Sequence, residues 1–178
     1  MNHITDFKAF TQEGFINCVV EIPKGTRVKY EVDPKRGDVV TPVRELHRRF
    51  KYPFNYGFIP GTLEEDGDPM DVCIIGCDRL EPLTHVTCRV LGCFKTVDNG
   101  EEDDKIVAVP YFTRYSKKQA KLVLEAYRFL KQYKYPFQKN TIVDGKFYSD
   151  EEAIAIIKKA VNRVSPSNNE AVNKITLS

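Results

Sequence analysis

The chain has 178 residues, 42% of them apolar, and a formal net charge of +2. That length and apolar content suit one sizeable core, so a single domain over residues 1–178 is expected. The near-neutral balance supplies no overall field to recruit nucleic acid or a membrane surface, and no apolar run approaches the length of a membrane span.

The N-terminal residues, MNHITDFKAF, lack the basic-then-apolar pattern of a secretory leader, so a cytoplasmic protein is expected. Short strands joined by Gly and Pro follow. FINCVVEIP and VKYEVD are β-branched or alternating, then come YGFIPGT, MDVCIIGC and the long THVTCRVLGCFKTV, which has the length to bend. VDNGEEDDKIVAVP reads as a hairpin, with Asn99-Gly100 as the turn dipeptide. Strands at this spacing suggest a closed or partly closed barrel. After Ser116, Leu122, Ala126, Phe129, Leu130 and Tyr133 form a stripe at helical spacing. Ser149 and Glu152 make a capping box ahead of AIAIIKKAVNRV, a second helix. The polar residues from about 165 to 178 read as a loosely docked tail.

The five cysteines, Cys18, Cys73, Cys77, Cys88 and Cys93, are an odd number without a leader, which argues for reduced thiols. Four of them could be weighed as a zinc set, but their spacing fits no knuckle and they fall in apolar runs, where cysteine serves as a small core residue. No G-x-S-x-G, H-E-x-x-H, Walker or G-x-G-x-x-G motif is present, and the histidines are only His3, His47 and His85. Any catalysis must therefore use carboxylates, lysines, arginines and tyrosines.

Carboxylates crowd the stretch EEDGDPMDVCIIG, residues 64–76. Like charges in contact repel by roughly 4 kcal/mol per pair at an effective dielectric near 20, so solvent, neighbouring bases or a metal must offset them. In DGDPMD, Gly67 permits a turn, Pro69 fixes a bend and Asp71 opens a buried strand. Three oxygen donors held close suit a hard ion such as Mg²⁺ or Ca²⁺, although a solvated acidic turn has the same composition. An EF-hand fits poorly, since Asp71 stands where that loop needs glycine. Asp98, Asp103 and Asp104 form a second acidic group that ends at a strand, and two acidic strand ends could share one mouth. Alternation in VKYEVD sends Lys29 and Glu31 to one face. Glu21 could join the acids, and Arg44 offers a forked phosphate donor.

DGDPMDV resembles the aspartate signature of the family I soluble inorganic pyrophosphatases. VEIP, VKYEVD, YPFNYGFIPGT and DDKIVAVP are similar to that family in type and order, from about Glu21 to Lys134. The resemblance implies an α+β fold: an OB-like five-stranded β-barrel flanked by helices, with the C-terminal helices packed on it and several Mg²⁺ ions in its mouth. It implies that Asp66, Asp71 and Asp103 bind the tightest ion, that Asp71 bridges to a second, and that Asp98 and Asp103 hold an ion arriving with substrate. Glu21 and Glu31 would act partly through water. Asp68 matches the proposed general base. Lys29, Arg44, Lys105, Tyr133 and Lys134 match phosphate ligands, and Tyr56 lines the site. Asn99 departs from the pattern, standing where many members carry an acid. The implied reaction is hydrolysis of pyrophosphate to two phosphates by in-line attack of a metal-bridged hydroxide, without a covalent intermediate. Short members are usually homohexamers, so one is expected here.

Two rivals remain. An OB-like barrel with FKYPFNYGF beside RELHRRFK could stack bases, against which stand the near-neutral charge and the acidic strand ends. A non-catalytic divalent-ion module would give Lys29, Arg44 and Lys134 no reason to converge. Lys134 also has a bland reading, as a cation at a helix C-terminus.

Overall fold

A computed structural model describes residues 1–33, 35–98, 100–114, 116–134 and 141–164. Its strands are β1 (Ile16–Ile22), β2 (Val28–Val32), β3 (Val40–Glu45), β4 (Asn55–Phe58), β5 (Asp71–Ile74), β6 (His85–Asp98), β7 (Glu101–Glu102), β8 (Lys105–Pro110) and β9 (Thr141–Tyr148). The helices are α1 (Lys118–Leu130) and α2 (Asp150–Val164).

Five strands close into a ring. β1 pairs with β4, β4 with β5, β5 with β8, β8 with β6, and β6 returns to β1. This is the OB-like, mainly β fold with flanking helices expected from the sequence. Because each ring strand has neighbours on both sides, the runs VVEI, DVCI and KIVAVP are almost wholly buried rather than alternating. The β5–β8 pair is parallel, with Asp71 registered against Lys105, while the other ring pairs are antiparallel.

β6 is long enough to serve β1 at its start, from His85 to Cys88, β8 along its middle, from Cys88 to Phe94, and β9 towards its end, from Cys93 to Val97. It bends as expected, at Gly92: φ is +153°, and a Cβ there would lie 2.1 Å from the Tyr148 carbonyl oxygen. Gly57 is needed for a second close approach, since its Cβ would stand 1.9 Å from the Val19 carbonyl oxygen.

α2 lays Ala153, Ile157 and Ala160 on a core that includes Ile16, Val72, Val90 and Ile106. α1 packs Ala126, Phe129 and Leu130 against Tyr52, Phe54 and Val107. Each large apolar side chain buried this way contributes about 1.5–3 kcal/mol before entropy is counted. The capping box forms: Ser149 N–H donates to Glu152 Oε2 at 3.0 Å, and Glu152 N–H donates to Ser149 Oγ at 3.2 Å.

Two strands have no counterpart in the sequence reading. β3 contains Pro42, which a central strand would not tolerate, but among the described residues β3 pairs only with β2 and its other edge is free of ladder bonds. β9 contains Asp144-Gly145, which reads as a turn. Both residues do take positive φ, +53° and +62°, yet they form an irregularity within one strand. Asn99 and the tail from 165 lie outside the described residues.

Candidate active site

The acidic signature sits in the connection from β4 to β5, and local bonds shape it. Asp66 Oδ1 accepts the Asp68 N–H at 2.9 Å, the Glu64 N–H donates to the Asp68 carbonyl at 2.8 Å, and Gly67 takes φ +90°. Thr62 Oγ1 accepts the Met70 N–H at 2.9 Å, anchoring the far end of the loop. The loop is thus a folded turn that delivers Asp66, Asp68 and Asp71 to one side of the ring.

That side opens into a cavity of about 250 Å³. Glu21, Lys29, Glu31, Tyr56, Asp66, Asp68, Asp71, Asp98, Asp103, Lys105, Tyr133 and Lys134 all line it. Arg44 does not. It stands on β3 directly opposite Lys29 of β2, one strand away from the lining. Glu64 and Tyr52 also line the cavity and were not singled out from the sequence. Glu64 was visible only as one more acid in a crowd. Tyr52 carried no charge signal at all, although aromatics flanking a candidate site could have pointed to it.

Lysines, not only solvent, separate the carboxylates. Lys105, 1% exposed, donates through Nζ to both Asp71 and Asp103. Lys134 Nζ donates to Asp98 Oδ2 at 2.6 Å, and Lys29 pairs with Glu31. Of the compensations the sequence left open, solvent, neighbouring bases or a metal, the bases are present: buried ammonium groups already offset these acids. Lys134 also lies beyond the end of α1 and is buried, so a favourable place against the helix dipole does not account for it. Tyr56 donates its O–H to Asp71 Oδ2 at 2.6 Å, and Tyr133 stacks on Phe129 with centroids 4.9 Å apart.

The electrostatics follow from burial. Desolvation works to lower the Lys105 pKa, but the Asp71 and Asp103 carboxylates outweigh it and hold the ammonium well above its usual range. Glu21, whose Oε1 accepts the Val32 N–H at 2.8 Å, is pushed up to about 8, first by burial and then by Asp71 and Glu31. Burial, Asp71 and other nearby acids push Glu64 up to about 9. Asp68 is raised by burial and by the Asp66 and Asp71 charges, which makes it a better proton acceptor than an exposed carboxylate. Such a group of shifted acids beside fixed cations, in a cleft, suits proton transfer next to a dense anion.

A sequence model of the family described as inorganic pyrophosphatase matches residues 18–165. The chain belongs to that family. It is 37% identical over 155 residues to soluble inorganic pyrophosphatase 2 of Chlamydomonas reinhardtii, covering 83% of this chain and 80% of the relative. With the inorganic pyrophosphatase of Sulfolobus acidocaldarius the identity is 50% over 95 residues, 53% of this chain and 54% of that one. An inorganic pyrophosphatase crystal structure from Neisseria gonorrhoeae superposes with a TM-score of 0.79 at 32% identity, covering 89% of this chain and 96% of that one. One from Thermus thermophilus gives 0.81 at 25% identity, covering 92% and 99%.

Among the described residues, no three carboxylate, imidazole or thiolate side chains converge on one point as a metal shell would. The pairing explains why: Lys105 stands between Asp71 and Asp103, and Lys134 engages Asp98. The donor set itself is oxygen-only and lines one cavity, the chemistry a hard divalent cation takes. The cysteines offer no competing site. Cys18, Cys73, Cys88 and Cys93 are buried and Cys77 is half-buried, all unbridged. No helix among the described residues is long and apolar enough to cross a membrane.

Proposed function

We propose that this chain hydrolyses pyrophosphate to two phosphates in the cavity between the β4–β5 loop and the start of β8, with Mg²⁺ as cofactor. The observation that carries the reading is the convergence there of eight acids with Lys29, Lys105 and Lys134. Asp66, Asp71 and Asp103 would hold the first ion, Asp71 would bridge to a second, Asp98 with Asp103 would receive the ion that accompanies substrate, and Glu21 and Glu31 would act through water. When bound, magnesium polarises the attacking water and neutralises phosphoryl oxygens. Lys29 and Lys134 bind phosphoryl oxygens and stabilise the leaving phosphate, and Arg44, opposite Lys29 on β3, adds its charge from beside the cavity. Tyr133 borders the same phosphate position. Lys105 fixes Asp71 and Asp103 and offers a third ammonium. Tyr56 orients Asp71 through its O–H. Asp68 accepts a proton from the water as it attacks phosphorus in line with the leaving group. Among the described lining residues there is no serine, threonine or cysteine, which agrees with direct transfer to water.

The same reading makes residues 1–178 one domain with a C-terminal tail, working in the cytoplasm as a hexamer. The free thiols suit a reducing compartment, and exposed Tyr111 and Phe112 offer apolar area to a neighbouring copy. No nucleic acid or membrane partner is proposed. Phosphate release from pyrophosphate, with magnesium and with EDTA, tests the activity. Release that is unaffected by EDTA would sink the metal-dependent reading. Sedimentation tests the assembly.

A further inference from the structure

A second cavity, of about 120 Å³, lies between α2 and the strands that follow the Gly92 bend. Lys95 of β6 and Lys159 and Arg163 of α2 line it, with Glu102, Asp104 and Glu64 opposite. Glu64 is common to this cavity and the catalytic one, so the two share a wall. The consecutive residues Asp103 and Asp104 divide between them, Asp103 lining the catalytic cavity and Asp104 the second.

The cations here are more than a solvated surface. Among the described residues, the Lys95 ammonium makes no hydrogen bond or ion pair and instead lies 4.5 Å from the centroid of the Tyr148 ring. Lys159 comes no closer than 3.8 Å to Glu102. Arg163 is held in place, bonded to the Leu63 carbonyl at 3.4 Å and to Glu65 at 2.7 Å. The C-terminal end of α2 would favour Lys159 and Arg163 in any case. It does not account for Lys95, which comes from a strand and turns to the same space. Two ammonium groups with unfilled donors and one anchored guanidinium make the donor set for a phosphate-class oxyanion. Glu102 and Asp104 oppose such a ligand, which sets a weak site, suited to an abundant anion.

A path to the catalytic carboxylates is also present. Thr96, the residue after Lys95, clamps Asp103: its carbonyl accepts the Asp103 N–H at 2.9 Å, and its Oγ1 donates to the Asp103 carbonyl. Drawing Lys95 toward a ligand therefore acts on the segment that carries Asp103.

We propose that this cavity binds inorganic phosphate and that its occupancy slows the catalytic site through Lys95, Thr96 and Asp103. Regarding the ligand as the reaction's own product rests on the pyrophosphatase reading; the binding site does not.

Calorimetry with inorganic phosphate in EDTA tests the binding, using the full chain carrying Lys29→Gln and Arg44→Gln to weaken the catalytic phosphate site. One weak phosphate per chain should remain, and adding Lys95→Gln and Lys159→Gln should loosen it roughly tenfold or more. No remaining binding, or binding indifferent to the second pair of substitutions, overturns the site. Preference for a non-hydrolysable pyrophosphate analogue over phosphate overturns the ligand. Kinetics test the coupling. Lys95→Gln/Lys159→Gln in the otherwise unaltered chain should keep turnover within about twofold when no phosphate is added. It should also lose the part of phosphate inhibition that excess pyrophosphate cannot relieve. Phosphate inhibition that is wholly competitive before substitution overturns the coupling. The calorimetry needs no turnover, so it decides the site even for a chain without the proposed activity.

Discussion

Tyr56 of β4 reaches across to the first residue of β5 and donates its phenolic O–H to Asp71 Oδ2 at 2.6 Å. The ring is 5% exposed, and burial followed by the Asp71 charge raises the phenol well above its usual pKa, so it remains a donor throughout the neutral range. Tyr56→Phe keeps the packing and removes this one bond to a charged group. Turnover should fall roughly tenfold to a hundredfold with little change in melting temperature. Unchanged turnover would show that Asp71 is oriented without Tyr56.

Asp71→Asn should nearly abolish turnover, because an amide is a poor replacement for a carboxylate proposed to bridge two ions. Crowding among acids alone would make the metal-free variant at least as stable as the parent. The buried Lys105 reverses that expectation. With Asp71 neutral, Lys105 keeps among the described residues only Asp103 as an ion-pair partner, and metal-free stability should drop by about 1–3 kcal/mol. Magnesium should widen the gap, because the parent gains binding free energy that the variant lacks. Denaturant melts in EDTA and in magnesium measure both; a metal-free variant at least as stable as the parent contradicts the role given to Lys105.

Lys134 and Lys29 should separate on substitution. Lys134 is buried on Asp98, whereas Lys29 keeps about a third of its side chain exposed beside Glu31. Lys134→Met should lower kcat/KM by roughly a hundredfold or more and also lower the melting temperature, since it strands Asp98. Lys29→Gln should lower kcat/KM while leaving the melt near that of the parent. Equal destabilisation by both would contradict the pairing described.

Acid should loosen the N-terminal segment through His85. His3 Nδ1 lies 2.6 Å from His85 Nε2, and the Phe7 ring packs 4.2 Å from the His85 ring. Burial, and then the His3 charge, lowers the His85 pKa. A base with a depressed folded pKa takes up its proton more readily when unfolded. Its contribution is therefore complete above about pH 6.5 and is lost as pH falls through the folded value. His85→Gln should flatten the dependence of melting temperature on pH between about 7 and 5. A slope unchanged by the substitution would assign the acid sensitivity to other groups.

The thiols should be dispensable for chemistry. Cys73→Ala trims a residue in the same core as Tyr56 and Val107 and should cost about 1 kcal/mol per methylene-sized loss. The folded variant should retain turnover. An inactive but well-folded Cys73→Ala would return the thiols to consideration.

Much of the ring was legible because its strands are bounded by Gly, Pro and charge, and because the 3.6-residue stripe on α1 and the Ser149–Glu152 cap are local signals. β3 and β9 were not, since Pro42 and Asp144-Gly145 break the local rules and only tertiary position redeems them. The same limit held in the site. Residue types forecast carboxylates and cations, but which lysine sits between which acids depends on strands distant in sequence. Asp98 and Lys134 are such a pair, and Lys105 between Asp71 and Asp103 is another. Arg44 illustrates the reverse: its type suggested a place in the lining, and the β2–β3 ladder holds it one strand back.

The parallel pairing of β5 with β8 also shapes how the molecule comes together. Two parallel strands cannot be joined by a tight turn, and here the whole of β6 lies between them. Asp71 therefore meets Lys105 only once a long loop has closed, which costs chain entropy before the pairing rewards it. Partly folded chains in which β1, β4 and β5 have already associated would carry the DGDPMD turn but neither Lys105 nor Asp103 beside it. The cavity cannot be inherited piecemeal from its hairpins. Its chemistry requires the seam between β5 and β8 to be sealed.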